Sequence, residues 1–327
     1  MVLILGSLLD PHVRSVASHV ESLGSAVAVF DPLDGGESQL TLRLTNEPSG
    51  GLRCEGQTIA LSTVRSVWYR VKPIRDHCHL PLLEFHNQKF VEREWMHVIE
   101  PLEDLFPEWR WINPRPHSRR LQYKPYQLKL ARECEFTIPP TVMGNDPDEI
   151  VEFASTLGTK LLYKALSSYF QPPDKLLYSQ VIGSDEVQAR RDNVKVAPGI
   201  YQSYIEKDYE LRITVVGEDV FPVRIDSQDC EGAEEDWRRE QLAVNYAPAK
   251  LPPEIHERLL KFHKASGLVY GAYDFIVTPG GEYVFLEVNP SGQWLGFEER
   301  TGIPVSLRVA QELVKSDLCA VSAVAVS

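Results

Sequence analysis

Asp274, Glu287 and Asn289 are the residues of this chain whose types and spacing suggest chemistry first. They lie within VYGAYDFIVTPGGEYVFLEVNPSGQW at 269–294. Val269, Phe275 and Val277 are β-prone, Pro279-Gly280-Gly281 supplies turn chemistry, and Tyr283, Phe285 and Val288 resume a strand, so the stretch predicts a hairpin. Residues two apart on a strand share a face, which puts Glu287 with Asn289, and the opposing strand can add Asp274. Two carboxylates and an amide are hard oxygen donors that suit Mg²⁺ beside phosphate. The plainer alternative pairs Asp274 with an arginine and leaves Asn289 to open the turn at Pro290. Polar residues held in phase on a buried strand need partners, which favours the metal.

Two lysines upstream invite a related reading. Lys124 follows a basic run, and Lys164 sits in the apolar strand Leu161-Leu162-Tyr163-Lys164-Ala165-Leu166. A lysine there either snorkels to solvent or neutralises an anion. Gln202-Ser203-Tyr204-Ile205-Glu206-Lys207 and Glu210-Leu211-Arg212 follow, a segment whose backbone can meet an adenine edge between two lobes.

The elements that must position these residues read as α/β. Met1–Ser7 predicts a buried strand. Asp10 caps a helix begun by Pro11, with Val13, Val16, Ala17, Val20 and Leu23 on one face, and Ser25–Phe30 is the next strand. This is a βαβ-like opening, but Gly6 alone is no dinucleotide fingerprint. A small hairpin insertion follows near 52–61 and 64–70. A helix over 82–105 is expected to kink at Pro101, and Pro114 and Pro116 mark a boundary. Ser118 caps a helix through about Glu133, which Pro125 kinks or shifts. Asp146-Pro147 starts another helix that Gly158 ends, and Lys160–Leu166 is a strand. Tyr201–Val216 and Val220–Ile225 alternate as antiparallel strands, Pro253 to Gly267 is helical, and Ile303–Val314 is the last helix before a short apolar tail.

Composition narrows the function. The 327 residues are 43% hydrophobic, enough for two or three domains. No apolar run approaches the roughly 20 residues of a membrane span, and Asp10 comes too early for a signal peptide, so a cytoplasmic location is expected. Cys54, Cys78, Cys134, Cys230 and Cys319 are odd in number and scattered, which predicts reduced thiols without a zinc site. A net charge of −12 argues against nucleic acid as a partner. Local basic patches remain, Arg65, Arg70, Lys72 and Arg75 in one and Arg110, Arg115, Arg119 and Arg120 in another, each facing an anionic ligand or solvent. HExxH, GxSxG and P-loop motifs are absent.

Taken in order, Lys124, Lys164, QSYIEK, ELRITVVG, YDFIV and FLEVNPSGQW resemble the ATP-grasp fold. VWYRVKP at 67–73, IDSQ at 225–228, DWR at 236–238 and NPSGQW at 289–294 are most similar to the microviridin-type, or graspetide, peptide maturases. The resemblance spans about residues 1–315. It implies a Rossmann-like pre-ATP-grasp domain at 1–115, a central subdomain at 116–200 and a C-terminal subdomain at 201–327 carrying the Mg-ATP site. Lys124 and Lys164 would contact the phosphates of ATP. Gln202, Tyr204 and Ile205 would line the adenine hinge, with Lys207 helping to hold the nucleotide, and Asp274, Glu287 and Asn289 would hold Mg²⁺. Arg212, partnered by Arg224 or Arg238, would steady the γ-phosphate and an acyl phosphate.

The implied activity is phosphorylation of Asp or Glu side chains in a ribosomal precursor peptide, followed by ring closure to an ω-ester with Thr or Ser or an ω-amide with Lys. The resemblance further implies a homodimer and a leader peptide docking near 181–200. Residues 167–180 contain no glycine, where the phosphate-covering loop of this fold is often glycine-rich. In WYRVKP, Val71 separates Arg70 from Lys72, and the alternative role for that motif is a strand end at a domain seam. Two other readings keep the nucleotide site: a ligase adding a free amino acid to a carboxylate, and a nucleotide-binding regulatory protein without turnover.

Overall fold

The computed structural model describes residues 1–72, 85–167, 170–171, 175–176 and 178–324. Arg75, Cys78, the start of the 82–105 helix and residues 168–169, 172–174 and 177 of the 167–180 segment lie outside the described residues, as does the side chain of Cys319.

The amino-terminal part is a parallel sheet. Strand β1 (Val2–Leu5) is buried along its whole length. Helix α1 (Pro11–Ser22) follows, its first turn closed by the Asp10 carboxylate accepting from the His12 backbone N–H, and it leads into β2 (Val27–Phe30), parallel to β1. The insertion has three strands, β3 (Gln39–Leu44), β4 (Pro48–Cys54) and β5 (Gln57–Ala60), where the sequence suggested a simple hairpin. Strand β6 (Ser66–Tyr69) returns to the parallel sheet. The expected kink at Pro101 is a full break between α2 (Phe85–Ile99) and α3 (Leu102–Leu105), and β7 (Arg110–Ile112) completes the order β2-β1-β6-β7.

Pro125 likewise shifts a helix start rather than kinking one. Helix α4 (Arg115–Arg120) ends, and α5 (Lys124–Glu133) begins with Pro125 in its first turn, where the missing N–H has no cost. Then come β8 (Thr141–Gly144), α6 (Pro147–Leu157), β9 (Leu161–Lys164), the short pair β10 (Phe170–Gln171) and β11 (Lys175–Leu176), β12 (Gln180–Ile182), helices α7 (Ser184–Ala189) and α8 (Arg191–Val196), and β13 (Gly199–Ser203). Helix α6 opens on Asp146 and ends at Gly158 in the left-handed region, φ +63°, as expected. Its sheet is antiparallel, in the order β12-β9-β13-β8.

The expected continuous strand from Tyr201 to Val216 is two strands in two sheets. After β13 the chain crosses through residues 204–208 into β14 (Tyr209–Val216), with Tyr204 N–H bonded to Lys160 C=O and Asp208 N–H to Val277 C=O. Alternation runs through the crossing, so periodicity alone does not show it. Strand β15 (Asp219–Ile225), β16 (Tyr246–Pro248), α9 (Pro253–Ser266), β17 (Tyr270–Val277) and β18 (Tyr283–Asn289) complete an antiparallel sheet ordered β16-β15-β14-β17-β18. Helix α10 (Leu295–Thr301) and helix α11 (Val305–Val324) close the chain. Helix α11 runs on to Val324 instead of stopping at Val314, because its apolar tail carries no helix breaker.

Val13, Val16 and Val20 of α1 share one apolar core with Val305, Val309 and Leu313 of α11. The first and last segments of the chain are therefore packed together. Among the described residues no helix is long and apolar enough to cross a membrane.

Candidate active site

A row of three charged residues crosses the last sheet. Arg212 on β14 stands opposite Asp274 on β17, and Asp274 opposite Glu287 on β18. The alignment depends on an irregularity, because Phe275 pairs with Phe285 while Asp274 pairs with Glu287, leaving Leu286 as the extra residue of a β-bulge. Phe285 and Val288 can then both enter the core while Glu287 faces the site. Asn289 lies opposite Ala272 at the exposed end, its Oδ1 accepting from Ser291 N–H at 2.9 Å.

Each carboxylate already has a cation. Arg212 Nη1 donates to both oxygens of Asp274 at 2.7 Å, and Lys124, from the first turn of α5, pairs with Glu287. Burial would raise the Glu287 carboxyl, but Lys124, Arg238 and Lys164 hold it down to about 2. Asp274 moves the other way, raised by burial and by the Glu287 charge against the pull of Arg212. Lys164 has no hydrogen-bond or ion-pair partner among the described residues, and burial, reinforced by Lys124 and Arg238, lowers its pKa to about 8.

Two cavities meet at this row, and Trp237, Arg238, Asp274 and Glu287 line both. The smaller, about 130 Å³, has Lys124, Lys164 and Lys207 on its walls and Leu162, Ile276 and Leu286 as its apolar surface. The larger, about 750 Å³, has a cationic wall of Arg70, Lys72, Arg212, Arg238 and Arg300. Aromatic rings line it among the cations: the Phe297 ring lies 5.6 Å from Trp237 and 5.1 Å from Tyr246, with Arg212 over Phe297 at 6.0 Å and Arg300 over Tyr246 at 4.9 Å.

Of the expected site residues, the structure brings Lys124, Lys164, Lys207, Arg238, Asp274 and Glu287 to the smaller cavity, and Arg212 and Asn289 to the larger. Gln202, Tyr204 and Ile205 line neither. Gln202 is buried with its Nε2 donating to Thr141 Oγ1 at 3.0 Å. Arg224 also stays outside, bonded to Asp226 and stacked on Tyr209. The second basic patch is structural: Arg115 and Arg119 pair with Glu100, and Arg110 with Glu312. Arg70 and Lys72 of the first patch do reach the larger cavity.

Several site residues escaped the sequence reading. Leu162 and Ile276 were recoverable by parity, since each lies two residues from a charged site residue, Lys164 and Asp274, on its own strand. Glu210 was recoverable in the same way, two residues from Arg212 on β14, and Asp236 stands in the DWR motif, but neither was given a role. Glu210, raised by burial, accepts from buried Lys207 at 2.6 Å and from Ser227 at 2.9 Å. Asp236 is held low by Arg238 against its burial, and the neighbouring Arg239 donates to Ser179 C=O at 2.8 Å.

No family model matches the chain. Among solved structures it is similar to a Chryseobacterium gregarium RiPP-associated ATP-grasp ligase in complex with ADP and a leader and core peptide. The two share 27% identity over 95% of this chain and 96% of that one, with a TM-score of 0.84. It is similar, too, to the macrocyclase MdnC bound with precursor peptide MdnA from Microcystis aeruginosa, at 27% identity over 96% and 98% of the two chains, TM-score 0.83. A probable alpha-L-glutamate ligase of Stenotrophomonas maltophilia is 26% identical over 204 residues, 60% of this chain. That match spans 65% of the curated relative's own length. The ATP-grasp architecture expected from the ordered motifs is borne out over nearly the whole chain by the two structures.

Proposed function

We propose that this chain, which has the ATP-grasp fold of the graspetide peptide ligases, is an ATP-dependent ligase that activates Asp or Glu side chains of a ribosomal precursor peptide and closes ω-ester or ω-amide rings. The observation that carries the reading is the meeting of the two cavities at Asp274 and Glu287. A small, lysine-walled space suits phosphates, and a larger cationic and aromatic one suits an acidic peptide. The chain is acidic overall, so the arginines of the larger cavity supply the local attraction an acidic core needs.

In the reaction, a peptide carboxylate oxygen forms a bond to the γ-phosphorus as the bond to ADP breaks. The Thr or Ser oxygen, or the Lys nitrogen, then bonds to the acyl carbon, losing its proton as phosphate leaves. The protein's part is electrostatic: Lys124 and Lys164 mask the phosphates, while Arg212 and Arg238 mask the carboxylate and the charge that grows beside it. Lys124 rests on Glu287 and is proposed to exchange that carboxylate for phosphate.

The donor set fits Mg²⁺. Among the described residues no three His, Cys, Asp or Glu side chains gather to hold a metal, but Asp274 and Glu287 face one another and Asn289 follows on the Glu287 strand. One or two carboxylates completed by substrate phosphates is how Mg²⁺ is usually held at nucleotide sites. Bound there, it would neutralise phosphate charge.

Segments 1–115, 116–200 and 201–327 are proposed to divide the work as substrate wall, phosphate cover and metal site. A groove of about 190 Å³ lined by Tyr163, Ile182, Val187, Arg190, Val194 and Tyr201, partly from the expected 181–200 region, is proposed as the leader's seat. The protein is proposed to act in the cytoplasm as a homodimer, which light scattering would test.

Lys164 gives a pH signature. Its folded pKa is lowered from 10.5 to about 8, so the cation is present below pH 8 and is lost as pH rises through it. Phosphate favours the cation, so ATP binding at about pH 8.5 is expected to take up protons and to weaken at higher pH. Calorimetry in buffers of different ionisation enthalpy measures the uptake, which Lys164→Arg should abolish. Binding without proton uptake would remove Lys164 from the phosphate site.

The deciding experiment is mass spectrometry of an acidic, Thr-rich candidate precursor encoded beside the gene, incubated with enzyme, ATP and Mg²⁺. Loss of one water per ADP is expected, and chelating the metal should stop it. The curated relative's name keeps a second reading, amino-acid addition, which would appear as a mass gain per ADP. Neither ADP nor any mass change would count against both and favour a binding protein.

A further inference from the structure

The loop 290–295 carries Ser291, Gln293 and Trp294 into the wall of the larger cavity and leads directly into α10, which adds Gly296, Phe297 and Arg300. It is a short connection whose backbone partners come from far away in the chain. Asn113, just after β7, donates to Pro290 C=O at 2.9 Å. Arg70, just after β6, donates to Ser291 C=O at 2.8 Å and to Gly292 C=O at 3.3 Å. His12, in the first turn of α1, accepts through Nε2 from both Trp294 N–H and Leu295 N–H at 3.2 Å. Those two amides stand at the start of α10, where helix donors have no partner within the helix.

His12 is itself fixed. With Nε2 accepting, its proton is on Nδ1, which donates to Asp10 Oδ1 at 2.8 Å. Asp10 also receives Arg70 Nε at 3.0 Å on its other oxygen, with Lys72 at 3.5 Å, so one carboxylate orients both the histidine and the arginine. His12 and Arg70 are buried, 5% and 3% exposed, and the His12 ring meets the Trp294 ring edge-on with centroids 4.7 Å apart. Burial keeps the imidazole neutral, the form that can accept two amides.

We infer that His12, oriented by Asp10, is a positioning residue that sets the 290–295 loop and the start of α10 as the substrate-facing wall, so that the amino-terminal sheet acts on the reaction through the loop without touching the reacting atoms. The arrangement gives WYRVKP a purpose that a plain strand end does not supply: Arg70, held by the same Asp10 carboxylate, bonds the Ser291 and Gly292 carbonyls of the loop. The activity arm of the test rests on the proposed ligase function; the structural arm does not.

The experiment compares wild type, His12→Ala and His12→Gln, the glutamine carbonyl standing where Nε2 accepts. By hydrogen exchange without substrate, His12→Ala should speed exchange across 291–300 by about tenfold, the scale of one lost hydrogen bond, while strands β17 and β18 keep their protection. His12→Gln should restore the slow exchange. With peptide, kcat/KM for ring closure should fall about tenfold in His12→Ala and recover in His12→Gln, while ADP affinity stays within about twofold. Unchanged exchange in His12→Ala, a glutamine variant as defective as alanine, or ADP affinity falling in step with peptide turnover would each overturn the inference. If wild type closes no rings on any candidate peptide, the ligase reading fails, and the exchange comparison still decides the role of His12.

Discussion

Glu287→Gln is expected to cut ADP formation by at least about a thousandfold, as removal of a charge aimed at a phosphoryl-transfer site does. The side chain keeps its volume, so the fold should survive and thermal unfolding should stay near that of wild type. What changes is the charge balance. Glu287 is held ionised by Lys124, Arg238 and Lys164; the neutral amide takes its ion-pair partner from Lys124 and leaves Asp274 as the one carboxylate of the proposed metal set. Because the Glu287 charge is what raises the Lys164 pKa, its loss should let that pKa fall further below about 8. Nucleotide binding without turnover is therefore the expected signature, read by a coupled ADP assay beside calorimetry. Activity within tenfold of wild type would remove Glu287 from the metal set.

Arg212→Ala is expected to fail differently, in stability as well as rate. Arg212 is 9% exposed and holds both oxygens of Asp274, which burial already makes hard to ionise. Removing the arginine leaves a buried carboxylate without its partner, a loss of about 3 kcal/mol, and Asp274 should relieve it by taking up a proton. The sign follows from that protonation. Stability of the variant relative to wild type should recover as pH falls through the variant's Asp274 pKa, which lies above the already raised wild-type one because the downward pull of Arg212 is gone. Ring closure should drop by about a hundredfold or more, since the larger cavity loses the cation nearest the carboxylate row. Arg212→Lys, which keeps the charge but not the planar guanidinium whose Nη1 bridges both oxygens of Asp274, should fall between. Chemical denaturation at two pH values together with the peptide assay tests both parts, and an alanine variant as stable and active as wild type would refute them.

Much of this site was legible locally. The spacing of Asp274, Glu287 and Asn289, the Pro-Gly-Gly turn, the caps at Asp10 and Asp146 and the stop at Gly158 are properties of a few adjacent residues, and local backbone preferences decide them. The ordered run of motifs from Lys124 to Trp294 was enough to anticipate the ATP-grasp architecture that the similar structures bear out. Lys124, Lys164, Lys207 and Arg238 do converge with the two carboxylates on one cavity.

Only the tertiary structure decided the rest. The bulge at Leu286 sets Glu287 against Asp274, and a one-residue change of register flips every side chain on a strand. The crossing at 204–208 is invisible to alternation because both flanking strands keep the same period, and it leaves Gln202, Tyr204 and Ile205 off the walls of both cavities. Lys124 on Glu287, Arg212 on Asp274 and His12 on the amides of Trp294 and Leu295 join residues 163, 62 and more than 280 positions apart. Periodicity tells which face a side chain takes on its own element. Which other element that face meets is settled only when the sheets and helices pack together.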